Sequence, residues 1–248
     1  MTESPPRTSI RLFGTGLRPC PYLSDRPSQF DFVDPRLAPT PELYEALLQQ
    51  GFRRGGEHIY RTACPGCQAC RSLRIPVADF QPRRRQRRCW RSNQDVRLVN
   101  AGGRYDPAHF ELYSRYVAAR HPGGGMDDAD PDLYWQYLTA SWCPTEFLEL
   151  RVGERLLAVA VTDDTGASLS AVYTFYDPAE QARSLGTLAI LLQIEEARRR
   201  GRDWLYLGYW IEGLAQMDYK AGFCPHERLG ETGWEPVPSR QAGHRQAW

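Results

Sequence analysis

Three cysteines, Cys64, Cys67 and Cys70, stand three residues apart in the run CPGCQAC, and Cys20 lies in the N-terminal arm just ahead of Pro21. Three thiols on one tight loop, completed by a fourth from elsewhere, form a donor set for tetrahedral zinc or for an iron–sulfur cluster. The same spacing also suits three small buried side chains that hold no metal. Cys89, Cys143 and Cys224 stand alone and read as packing residues.

A second chemical signal is the use of cations. Thirty of the 31 basic residues are arginine, and the single lysine is Lys220. A compact ammonium in a chain that otherwise uses guanidinium suggests a task that a planar group cannot perform, although one surviving surface lysine would look the same. Net charge is only +1, yet residues 51–91 hold eleven arginines against two acids, Glu57 and Asp79. Arg83, Arg84, Arg85, Arg87 and Arg88 form the densest part of that run, followed by Arg91. Such a density either faces solvent or meets a polyanion, and RNA phosphates fit it.

The elements that must position these residues can be read from pattern. Residues 146–152, 155–162 and 169–176 read as strands, with Gly153-Glu154 and Asp163-Asp164-Thr165-Gly166 marking the reversals. Asp177-Pro178 ends the third strand, and a helix opens near residues 184–187. Leu185, Leu188, Ala189 and Leu192 lie on one of its faces and Ile190, Ile194 and Ala197 on another, as expected of a helix buried on a sheet. Residues 204–210 return as a strand, completing a right-handed parallel crossover. Upstream, residues 95–100 read as a strand, and 108–120 and 131–142 as helices. The order strand, helix, helix, three strands, helix, strand resembles the acyltransferase fold of the GCN5-related N-acetyltransferases. In that fold the loop before the central helix contacts the acyl carrier; here Ser184, Gly186 and Thr187 occupy it, at a helix N-terminus suited to phosphate.

At 248 residues, with 42% apolar and 25% charged residues, the chain reads as a globular enzyme of two parts. Residues 1–92 make a smaller cysteine- and arginine-rich domain and 93–248 an acyltransferase-like catalytic domain of the α+β or α/β class. No apolar run approaches the roughly 20 residues that span a bilayer, and MTESPPRTSI lacks the features of a secretory signal. A cytoplasmic location is expected, where cysteines remain thiols or metal ligands.

Several segments resemble the bacterial aspartate/glutamate leucyltransferases, short relatives of the eukaryotic arginyl-tRNA–protein transferases. They are CPYL at 20–23, GFRR at 51–54, CPGCQACRSLRIPVADF at 64–80, YSRYVAARH at 113–121, LLAVAVTD at 156–163, YTFYDP at 173–178, SLGTLAILLQ from 184, WLYLGYWI at 204–211 and MDYK at 217–220. The resemblance departs in the loop after His121, PGGGM at 122–126, which carries no basic residue. It implies transfer of leucine from leucyl-tRNA to proteins beginning with Asp or Glu, feeding the bacterial N-degron pathway, with no acyl-CoA and no cofactor required for transfer. Arginyl transfer to the same acceptors is the close alternative. An acetyl-CoA-dependent acetyltransferase is a further one, but it would be expected to carry a richer glycine loop than residues 183–187 supply.

The chemistry is economical. An α-amine deprotonates near pH 7.7 to 8.0 in its unperturbed state, and holding amine and ester together supplies up to ~7–11 kcal/mol. In the fold the resemblance implies, the reacting carbonyl lies where the two central strands splay, between residues 172–176 and 207–211. Tyr173, Tyr176, Tyr209 and Glu212 are the polar candidates at that opening. An acidic acceptor side chain entering a closed pocket needs a fixed positive charge; Lys220, with Tyr219 beside it, and Arg53, Arg54 and Arg74 are the candidates.

Overall fold

The computed structural model describes residues 9–120 and 130–238. The loop at 122–126 and the tail beyond 238 lie outside the described residues. The chain begins with β1 (Leu12–Gly14), β2 (Arg18–Pro19), β3 (Pro27–Ser28), β4 (Phe30–Val33), α1 (Pro41–Leu48), β5 (Arg53–Gly55), β6 (His58–Thr62) and β7 (Arg71–Pro76). There follow α2 (Arg84–Arg91), β8 (Arg97–Asn100), α3 (Pro107–Arg120), α4 (Pro131–Leu138), and the long strands β9 (Thr145–Val152), β10 (Arg155–Asp164) and β11 (Ser168–Tyr176). A 3-10 turn (Pro178–Arg183) leads into α5 (Leu185–Arg199) and β12 (Trp204–Trp210). Then come α6 (Ala215–Asp218), a second 3-10 turn (Tyr219–Gly222), β13 (His226–Gly230) and β14 (Gly233–Val237). Among the described residues, no helix is long and apolar enough to cross a membrane.

Strands β8 to β14, joined by β7, form one mixed eight-stranded sheet in the order β14-β13-β7-β12-β11-β10-β9-β8. The expected hairpins are present, and Gly153 and Gly166 take the positive φ their turns need. Strands β11 and β12 pair in parallel on either side of α5, as the crossover requires. Alternation along the strands makes two cores. Leu148, Leu150, Ala158 and Ala160 meet Leu185, Leu188 and Ala189 of α5 on one face. Phe147, Val159, Val161 and Phe175 meet Leu112, Tyr113, Val117, Tyr134 and Leu138 of α3 and α4 on the other.

The boundary expected after residue 92 is not a break in the sheet. Strand β7, from the first part of the chain, lies between β12 and β13 and pairs antiparallel with both. Its partners stand more than a hundred positions away, so no local pattern announces the insertion. The helix expected over 131–142 stops at Leu138: the Leu138 carbonyl is taken by Arg54 Nη2 at 2.8 Å, and Thr139 turns to extended backbone. Strand β8 begins at Arg97, two residues later than the pattern predicts.

The four-stranded sheet β1-β4-β6-β5 and α1 pack against β12 of the large sheet. They share a core in which Val33, Tyr44, Leu47, Leu48, Phe52 and Ile59 close around Tyr206 of β12. One buried ion pair fixes this layer to the large sheet. Arg54 on β5 meets Asp163 on β10 with both contacts at 2.6 Å, and Thr145 Oγ1 donates to the same carboxylate at 2.7 Å. Both side chains are fully buried, and deleting one partner of such a pair costs about 3–5 kcal/mol.

Candidate active site at the parting of two strands

Parallel pairing between β11 and β12 holds at only three positions, Ser168 with Trp204, Leu169 with Leu205 and Ser170 with Tyr206. Both strands continue, β11 to Tyr176 and β12 to Trp210, so they part where the resemblance places the reacting carbonyl. From there on β12 keeps only β7, its partner along its whole length, and the register with β7 slips between Tyr206 and Gly208. Gly208 takes φ +70°, and a Cβ built on it would lie 2.3 to 2.6 Å from the guanidinium of Arg53. Glycine is required for two reasons: the backbone conformation, and the cation lying on it.

The bulge also turns out two carbonyls. Lys220 Nζ donates to Leu207 O at 2.9 Å and to Tyr209 O at 2.7 Å. Arg53 and Lys220, 167 positions apart in the chain (220 − 53), are thus anchored on the same three residues. Arg53 stacks over the Tyr209 ring at 5.4 Å and, among the described residues, has neither a hydrogen bond nor a carboxylate partner. Burial, and then the charge of Arg53, push the Lys220 ammonium down to about 7.

Two other arginines expected to read the acceptor are committed elsewhere. Arg54 is consumed by Asp163. Arg74 is held between the rings of Trp204 (3.7 Å) and Trp234 (4.1 Å) and paired with Glu227 at 2.7 Å, so it staples β7 to β13 and β14. Tyr209 is likewise committed: its hydroxyl donates to Gly51 O at 3.1 Å and accepts from Thr62 N–H at 3.2 Å. Glu212 lies exposed just past β12 and makes no hydrogen bond or ion pair among the described residues.

The remaining wall is aromatic. Tyr137 approaches Gly55, beside Arg53, and its ring lies 6.3 Å from Tyr173. Tyr173 meets Tyr116 at 6.4 Å, and Tyr116 meets Tyr176 at 4.9 Å. Tyr176 accepts a hydrogen bond from Arg120 Nη2 at 2.6 Å and reaches to 3.6 Å from a Cβ built on Gly186. A band of tyrosines thus runs from the two cations to the N-terminus of α5. Burial raises the hydroxyls of Tyr137, Tyr173 and Tyr116, the last to about 12, so they stay protonated and can donate. Tyr219 is half exposed and lies within electrostatic reach of both Tyr176 and Arg53. Sequence reasoning missed Tyr116, Arg120 and Tyr137. The signal for the first two was present, since Tyr113, Tyr116 and Arg120 share one face of α3 at i, i+3, i+7.

Ser184 takes a left-handed conformation (φ 54°) and opens α5, its carbonyl accepting from Thr187 N–H at 2.9 Å and Leu188 N–H at 3.1 Å. Leu185 and Gly186 therefore carry the open amides of that first turn. The basic run forms α2, docked on buried Gln86 and Cys89. Arg83, Arg84, Arg85, Arg87 and Arg88 are all exposed. Gln86 donates to Gly222 O at 3.2 Å, which ties this helix to the turn that carries Lys220.

Cys20, Cys64, Cys67 and Cys70 share one neighbourhood, where burial and then the other three thiols raise Cys70 to about 11. Cys67 is lowered by the Ala69 N–H and by Arg26, which donates to its sulfur at 3.5 Å. Cys89, Cys143 and Cys224 are buried, as expected of packing residues. Among the described residues, the one Cys, His, Asp and Glu group whose ligand atoms all lie within 4.8 Å is Asp106, His109 and Glu149. Both Glu149 oxygens are already engaged by Arg151 and one also by His109, so this group ties α3 to β9.

Comparison with known proteins bears on the whole chain. Residues 18–88 match the family model described as arginine-tRNA-protein transferase, N terminus, and residues 108–230 match its C terminus. An aspartate/glutamate leucyltransferase of Alkalilimnicola ehrlichii is 49% identical over 229 residues, 92% of this chain and 96% of the relative. That of Halorhodospira halophila is 48% identical over 230 residues, 92% and 98% of the two chains. The C-terminal domain of a putative lysylphosphatidylglycerol synthetase from Agrobacterium fabrum aligns with a TM-score of 0.49 at 13% identity, covering 79% of this chain and 64% of that one. With identity this high, sustained along both chains nearly end to end, the protein belongs to the arginine-tRNA–protein transferase family.

Proposed function

We propose that this chain transfers leucine from leucyl-tRNA to the N-terminal Asp or Glu of proteins, in the cytoplasm, marking them for degradation through the N-degron pathway. The observation that carries the acceptor half of this reading is Arg53, a half-buried guanidinium in the strand opening with no carboxylate among the described residues. An Asp or Glu side chain supplies the missing partner, through charge-assisted hydrogen bonds. Leucine is favoured over arginine as donor by the activity for which the relatives are named.

The element order from β8 to β12 supports reading the second part as an acyltransferase fold of the GCN5-related type. In this reading the open amides of Leu185 and Gly186 receive the phosphate nearest the aminoacylated end, and the tyrosine band holds the terminal nucleoside and leucine. The exposed face of α2 takes the tRNA backbone. The aminoacyl ester carries its own activation, so acyl-CoA is not needed.

The four cysteines suit a thiophilic metal that would pin the N-terminal arm to the connection between β6 and β7. Four thiolates suit tetrahedral zinc or an iron–sulfur cluster. The group would be structural, holding β7 and through it the Gly208 bulge.

Mixed with radiolabelled leucyl-tRNA and an Asp-starting peptide, the protein is expected to yield leucyl-peptide; consumption of acetyl-CoA instead would contradict the reading. In the same assay Lys220→Ala should lower transfer by roughly tenfold or more with tRNA affinity nearly unchanged, and equal losses would reassign Lys220 to RNA contact. Replacing Arg84, Arg87 and Arg88 with Ala should weaken tRNA binding and reduce its salt slope by about 2; an unaltered slope would make this a merely solvated face. Elemental analysis of anaerobically purified protein should find zinc, or iron with labile sulfide, lost in Cys64→Ser and Cys70→Ser, while metal-free protein of full activity and stability would refute the metal site.

A further inference from the structure

We infer that Lys220 is the general base of the transfer: its uncharged amine removes a proton from the acceptor's α-ammonium while the acceptor's own carboxylate lies on Arg53. This deepens the function proposed above and rests on it.

Two cations are anchored on the three residues of one bulge, with no carboxylate between them. Only one positive charge can be held there cheaply. Arginine does not give up its proton under physiological conditions, so lysine is the group that yields. Among the described residues, Arg53 on β5 is the charged side chain acting on Lys220, and β12 offers it only the carbonyls of Leu207 and Tyr209. The bonding count agrees. An uncharged amine has two N–H groups and one lone pair, and two carbonyls take the two N–H groups. An ammonium would carry a third N–H with no acceptor among the described residues.

An acidic acceptor changes this balance. Its carboxylate offsets the charge of Arg53, which makes the proton more welcome on Lys220 at the moment the α-ammonium must lose it. Asp and Glu termini thereby assist their own activation, and the preference for them acts on the chemical step as well as on binding. The proton passes from the α-nitrogen to Nζ, and the freed lone pair attacks the leucyl carbonyl carbon. The new C–N bond forms as the C–O bond to the ribose breaks, and the leaving oxygen takes the second proton from the attacking nitrogen. Lys220 releases its proton to solvent when the product leaves, so atoms and charge balance.

Chemical rescue separates this role from charge recognition. In Lys220→Ala, added ethylamine should restore leucyl-peptide formation at least tenfold, read by mass spectrometry of the peptide, with rescue growing as pH rises. Lys220→Arg, which puts a permanent charge there and cannot act as a base, should stay at least tenfold below wild type under single turnover. In wild type the acid limb of the rate should fall through about 7, and in Lys220→Met it should move up toward the acceptor's own amine at about 7.7 to 8.0. Absence of rescue, an Arg variant within twofold of wild type, or an unmoved acid limb would each overturn the inference. If wild-type protein itself fails to leucylate the Asp peptide in this assay, the fault lies with the proposed function rather than with Lys220.

Discussion

The site depends on one close contact, the Arg53 guanidinium lying on a glycine whose backbone no other residue adopts cheaply. The contact exists because β12 loses one of its two partners. It pairs with β7 along its whole length but with β11 for only three positions, and beyond them its register with β7 slips. The slip opens the sheet, brings out the carbonyls that hold Lys220, and leaves a flat patch of backbone for Arg53. A conventional strand at this position would close the gap and remove all three features together.

Several other arginines in this chain are spent on holding the layers together. Arg200 alone binds Glu146, Asp164 and Glu196, fastening the end of α5 to β9 and β10. Arg183 fastens the turn before α5 to Asp95, and Arg54 crosses from the small sheet to Asp163. Against that background a half-buried arginine with only an aromatic ring beside it is a departure, and its cost in desolvation is the kind that functional sites carry. The surrounding tyrosines give it polar neighbours without neutralising it, and they continue to the amides of α5, so one surface can serve both acceptor and donor.

The strands from 145 to 176, the buried helix and the returning strand were legible because alternation, turn residues and apolar periodicity all act over short distances. Strand β7 was not, since its partners lie beyond residue 200 and its six residues read equally well as an isolated edge. The arginines show the same limit at finer scale. Arg53 and Arg54 are adjacent, identical in type, and necessarily point to opposite faces of β5. Only the tertiary register decides that one is buried against Asp163 while the other reaches the opening. Arg74 could be told from Arg53 only by knowing that two tryptophans, 30 positions apart, would enclose it. Lys220 stood out by type alone.

The central claim is that the free charge of Arg53 receives the acceptor's side chain. Its most direct test compares leucine transfer to two peptides that differ only in an initial Asp or the isosteric Asn, with wild type and with Arg53→Met. Wild type should favour Asp by tenfold or more, and Arg53→Met should lose most of that preference while keeping its affinity for leucyl-tRNA. An Arg53→Met protein that still favours Asp as strongly as wild type would contradict the account.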